Sequence, residues 1–134
     1  MSTLRLTTIS NQSGSASVPS QTVISGSAKA WVNFNGVGTV AIRASFNVTS
    51  ITDNNTGDYT VNFTNAMPDT NYSVAGAARF GDDSVAGAMR VVSICSVGTL
   101  ANAMQTTSVR VASQYVNSSI GNDDCQVVCV NIFR

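Results

Sequence analysis

Two acidic pairs are the strongest chemical feature of this chain: Asp82 and Asp83 after Gly81, and Asp123 and Asp124 after Gly121 and Asn122. Carboxylates clustered on turns hold calcium when further oxygen ligands follow at spaced positions. Neither pair is followed by such a series, so no metal is expected. Asp and Asn side chains also accept hydrogen bonds from sugar hydroxyls when an aromatic ring offers a platform beside them. Phe80 and Tyr115 are the rings placed to do so. The plainer reading of both pairs is solvated turn acids, which tolerate substitution within about 0.5 kcal/mol.

Other chemistry is excluded by residue type. The chain contains no histidine, which removes a Ser-His-Asp triad and histidine metal sites. It contains no glutamate, so hydrolysis by paired carboxylates would rest on Asp alone. The Gly36-Val37-Gly38 run follows a strand signal but opens no helix, so it reads as a hairpin turn and not a phosphate loop. A non-enzymatic protein without cofactors is expected. The three cysteines, Cys95, Cys125 and Cys129, are an odd number and cannot close an intrachain framework. Cys125 and Cys129, four apart on an expected strand, would stand roughly 13 Å from each other, beyond the reach of a disulfide. All three are expected to be buried and reduced.

The elements that must carry these turns are strands. From Ala28 onward, apolar residues alternate with polar ones: Ala30, Val32, Phe34, then Tyr59, Val61, Phe63, then Tyr72, Val74. Such period-2 patterning marks half-buried strands. Asn35-Gly36 is a hairpin signal, with residues 39–43 as the returning strand and Phe46 and Val48 on the next one. Residues 52–58, TDNNTGD, are turn chemistry throughout, and residues 67–69 turn the chain again. Turns every 8 to 12 residues suit an all-β sandwich or barrel. Further strands are expected over 85–95, 106–112 and 126–133, and the best helix candidate, 99–105, is short. Val127 to Val130 read VVCV, apolar on both faces, so this strand is either central or covered by another subunit. Residues 1–28, rich in Ser, Gln, Gly and Thr, read as a loosely held arm, and 29–134 as the folded domain.

Charge is scarce: 10% of residues, with one lysine (Lys29), six arginines and a net charge of zero. Scattered arginines without a basic patch argue against nucleic acid as a partner. No apolar run reaches the roughly 20 residues needed to span a bilayer, and the N-terminus lacks the pattern of a secretory signal. Burying a charge costs several kcal/mol unless it is paired, and interface cores are depleted of charge. A chain that packs against copies of itself would favour this composition.

Residues 29–72 resemble a recurrent module of bacteriophage virion proteins, especially tail fibres of aquatic and marine phages. The likeness is carried by KAWVNFNGVGTVAIRASFNVTSITDNNTGDYTVNF, then AMPDTNYSV, and by the final IFR (Ile132, Phe133, Arg134). The resemblance implies an antiparallel, jelly-roll-like β-sandwich with a flexible N-terminal arm, assembled as a homotrimer. It implies a virion location, reached by assembly in the cytoplasm of a bacterial host. The implied role is a tail-fibre tip that attaches to host surface polysaccharide or protein, with the arm docking on other virion proteins. The alternative is a cement protein decorating capsid or tail. The partner-contacting residues are expected in the less family-like half: Phe80, Asp82, Asp83, Tyr115, Asn122, Asp123 and Asp124, with residues 80–84 and 118–124 lying exposed as the contacting loops. Trp31 is expected inside the fold or across a subunit interface.

Overall fold

The computed structural model describes residues 3–81, 89–95, 103–116 and 120–134. The chain from Ala28 onward forms two antiparallel sheets packed face to face, an all-β sandwich. One sheet has the order β4 (Ala41–Phe46), β3 (Ala28–Asn35), β11 (Val127–Phe133), β7 (Ser73–Arg79). In the other, β9 (Ser108–Val116) carries β8 (Met89–Ile94) along one edge. Its other edge pairs first with β6 (Asp58–Phe63) and then, nearer its C-terminal end, with β10 (Ile120–Asn122); β5 (Val48–Asn55) pairs with β6.

Register converts the sequence alternation into a core. Val32 stands opposite Val130, Phe34 opposite Val128 and Ala30 opposite Ile132. In the facing sheet Val61 pairs with Val109 and Tyr59 with Val111. All ten are buried, and Phe34 meets Tyr59 edge to face, with ring centroids 5.0 Å apart. β11 is an inner strand of its sheet, one of the two possibilities that VVCV left open. Its Val128, Val130 and Ile132 are buried, while Val127, Cys129, Asn131 and Phe133 are half-buried on the outer face. Cys129 therefore departs from the expectation of three buried thiols; Cys95 and Cys125 are buried and all three are free.

Phe46 and Val48 do not share a strand. The chain crosses from one sheet to the other between them, at Asn47, whose φ of 55° is left-handed. Asparagine tolerates that conformation better than most residues. Its side-chain amide donates to the carbonyls of Lys29 (3.0 Å) and Asn65 (3.2 Å), and its Oδ1 accepts the Asn65 N–H at 2.8 Å. Val48 thus turns inward, and Phe46 ends β4 on the outside, 55% exposed.

The arm has more structure than its composition suggests. β1 (Thr8–Ser10) pairs with β2 (Ser17–Pro19), and α1 (Ser20–Gly26) follows directly. Nothing in α1 is buried, so the sequence carries no amphipathic stripe for it. The expected helix over 99–105 lies largely outside the described residues. Among the described residues, no helix is long and apolar enough to cross a membrane.

Candidate binding cleft

The turn ending TGD and the turn GNDDC interlock. Gly57, at φ +62°, is held between Asp124 and Ser113. Its N–H donates to Asp124 Oδ1 at 2.7 Å, and its carbonyl accepts the Ser113 N–H at 2.8 Å. A Cβ here would stand 2.5 Å from both the Asp123 nitrogen and the Ser113 carbonyl oxygen. The buried Ser113 hydroxyl donates to the Asp123 carbonyl at 2.5 Å. The Tyr59 hydroxyl donates to Asp124 Oδ1 at 2.8 Å and lies 3.2 Å from the Gly36 carbonyl oxygen. Burial, with the Asp124 carboxylate alongside, raises the Tyr59 pKa far above its usual value. Gly36 is needed for closeness and not for turn conformation, since its own Cβ would fall 2.4 Å from the Tyr59 hydroxyl. Of residues 36–38, the left-handed position is Gly38.

Asp58, next in the chain, is buried and paired with Arg110 of the neighbouring strand. Nε donates to Oδ1 at 2.8 Å and Nη2 to Oδ2 at 2.5 Å. This two-pronged contact holds the Asp58 carboxyl below the usual carboxylate range. Such fork-to-fork geometry is among the stronger charge-assisted arrangements.

Beside this interlock Arg90 of β8 stacks between two rings. Its guanidinium lies 5.0 Å from the Phe80 ring centroid and 5.8 Å from that of Tyr115. Its Nη2 pairs with Asp123 Oδ2 at 2.9 Å. Strand register sets this up, because Arg90 stands directly opposite Tyr115. A cleft of about 520 Å³ opens next to it. Val37 and Thr56 reach it from two turns, Phe80 and Gly81 from the end of β7, and Asp123, Asp124 and Gln126 from the loop before β11. An aromatic ring beside carboxylates, a hydroxyl and an amide offers both an apolar platform and hydrogen-bonding groups.

Five of the seven expected contact residues thus gather at one end of the sandwich: Phe80, Tyr115, Asn122, Asp123 and Asp124. Asp82 and Asp83 lie outside the described residues. Two expectations are corrected. Phe80, Asp123 and Asp124, expected to be exposed, are half-buried, whereas Asn122 is exposed. Asp123 and Asp124 are also partners in the fold, not solvated turn acids. Val37, Thr56 and Gln126, which line the cleft, and Arg90 beside it carry no signal in the sequence that marks them, since only the strand pairing brings them there.

The remaining motif residues also serve architecture. Arg134 reaches Asp69 with two prongs, Nε to Oδ1 at 2.8 Å and Nη2 to Oδ2, so the final IFR is tied to the MPD turn. Asp69 Oδ1 also accepts the Asn71 N–H at 2.8 Å. The Tyr72 hydroxyl lies 2.9 Å and 3.0 Å from the Gln105 and Ser108 carbonyl oxygens. Burial pushes its pKa up to about 12.

Trp31 is not internal. It stands opposite Phe46 on the outer face of the four-stranded sheet, 37% exposed.

Comparison of the chain with protein-family models, with curated proteins and with solved structures returned no match.

Proposed function

We propose that this protein is a non-enzymatic bacteriophage virion component, most simply a self-assembling tail-fibre tip that attaches the particle to its host. The observation that carries the reading is how its residues divide. Those that resemble the fibre module (Gly36, Asn47, Gly57, Asp58, Tyr59, Asp69, Tyr72 and Arg134) are engaged in holding the sandwich together. The cleft beside Phe80 is framed largely by residues outside that module, on loops held by a rigid scaffold. Binding residues are disproportionately found on such loops. Its ring, carboxylates and amide suit a polyhydroxylated ligand such as host surface polysaccharide, each contact being weak and multiplied by repetition on the particle.

A second reading, a cement protein clamping capsid or tail subunits, is favoured by one feature: the arm presents exposed Leu4, Leu6, Ile9, Val23 and Ile24. Other virion proteins could receive that arm. Adsorption separates the two readings. Purified protein, added to host cells before the phage, should compete with particle attachment in a dose-dependent way. Undiminished attachment at saturating protein contradicts the fibre-tip reading.

A further inference from the structure

The four-stranded sheet packs one face on the core, and among the described residues nothing is layered over the other. Register lays two uncharged rows across the open face: Phe46, Trp31 and Asn131, then Ala44, Asn33 and Cys129. Arg43, the nearest cation on β4, is held by Asn33 Oδ1 at 3.2 Å and the Gln126 carbonyl at 2.6 Å. Covering these two rows would therefore strand no charge, the condition under which burial is least costly, while Lys29 of β3 and Arg79 of β7 stand beyond them at the two ends of the face.

The arm has the opposite problem. Its hairpin has three residues per strand, and even a full two-stranded hairpin is marginal in water. Its helix has seven residues, no buried side chain and no side-chain cap, well short of the roughly 12–15 residues at which isolated helices become even marginal. Yet its apolar side chains stay in solvent, Leu4 being 81% exposed and Ile24 57%. Residues 3–27 carry a single charge, Arg5. The arm joins the sandwich at Ala28, three residues before Trp31, but does not lie buried against its own sheet.

We propose that the N-terminal arm of one copy lies across the Trp31–Phe46 sheet face of the next. The occupant is a second copy because the chain supplies both halves of the contact: an arm whose few aliphatic side chains lack a support, and a face whose central rows are uncharged and, among the described residues, lack a cover. Contact of an arm with a different surface on its neighbour closes either reciprocally, in a two-fold dimer, or head-to-tail, in a ring when the rotation permits. The inference rests on the self-assembly part of the function proposed above and is independent of host attachment.

Cys129 provides the readout, being a native thiol half-exposed on this face. Full-length protein is treated with N-ethylmaleimide over a dilution series, with site-resolved mass spectrometry and parallel sedimentation. The expected result is an oligomer in which Cys129 resists alkylation, with assembly and protection lost together on dilution. Leu6→Ser combined with Ile9→Ser, two exposed arm positions, should abolish both at all concentrations while the melting curve of the sandwich persists. An oligomer with reactive Cys129 overturns the proposal, as does a monomer with reactive Cys129 throughout. A monomer with protected Cys129 shows the arm folding on its own sheet and overturns it too. Protection that survives the arm variant does the same. Each of these leaves the adsorption experiment unaffected, so the two readings fail separately.

Discussion

The Tyr59 hydroxyl and the Asp124 carboxylate meet at 2.8 Å across 65 residues of chain. The same carboxylate oxygen receives the Gly57 N–H. One side chain on the last loop thus closes both the start of β6 and the turn before it, and it binds the two sheets at the end where the cleft opens.

Asp124→Ala should therefore destabilise the protein, where a solvated turn acid would be neutral. It leaves the Gly57 N–H without its acceptor and removes the nearer partner of a buried phenol, each loss costing about 1–3 kcal/mol. A net loss of about 2 kcal/mol, or roughly 8 °C in melting temperature at this chain length, is expected in thermal denaturation. Tyr59→Phe, which keeps the Gly57 contact, should cost about half as much.

Two glycines with the same sign of φ should respond differently. Gly38, at φ +67°, has open space where a Cβ would stand, with no atom within 4 Å, whereas at Gly57 backbone atoms lie 2.5 Å from that position. Gly38→Ala meets only the left-handed penalty of about 1–2 kcal/mol. Gly57→Ala meets that penalty and a collision with two backbone segments, and should lose well over about 3 kcal/mol or fail to fold. Denaturant melts of the two variants check this, and equal losses would show that the interlock is looser than the 2.5 Å approaches at Gly57 imply.

The Asp58–Arg110 pair sets a pH response. The Asp58 carboxyl lies below its unfolded value, held there first by the Arg110 hydrogen bonds. A depressed folded pKa means that the unfolded chain takes up the proton first. The pair's contribution is complete above the unfolded pKa of about 3.9 and is lost as pH falls further, through the folded value. Asp58→Asn should lower stability by about 3 kcal/mol at pH 7 and flatten the dependence below about pH 4. Urea melts from neutral pH down into the acid range measure both.

Val37→Ser and Gln126→Ala test the cleft without touching the interlock, because both side chains are exposed on its rim. Their melting temperatures should stay near wild type, since surface changes are usually within about 0.5 kcal/mol. Their ability to compete with phage adsorption should fall. Full competition by stable variants would place recognition elsewhere.

Much of this architecture is legible in the sequence, for a physical reason. Strand alternation is local, so Ala30, Val32, Phe34, Tyr59, Val61 and Phe63 announce their buried faces without reference to the rest of the chain. Sheet order is not local. That Arg90 lies opposite Tyr115, or that Asp124 meets Gly57, follows only from which strands pair. Asp123 and Asp124 accordingly read as solvated in sequence, although distant groups claim both carboxylates. Phe46 and Val48 read as one strand because alternation carries through Asn47, and only its left-handed backbone reveals the crossing between sheets. The arm's helix leaves no periodic signal because it buries no face.

The most direct measurement of the central claim is the position of the protein in an intact particle, read by immunogold electron microscopy with antibody against the purified chain. A tail-fibre tip predicts gold at the distal tail in low copy number. Dense labelling over the head would contradict attachment and favour the cement reading. Particles without label, in a preparation where antibody recognises the native protein, would contradict a virion component altogether.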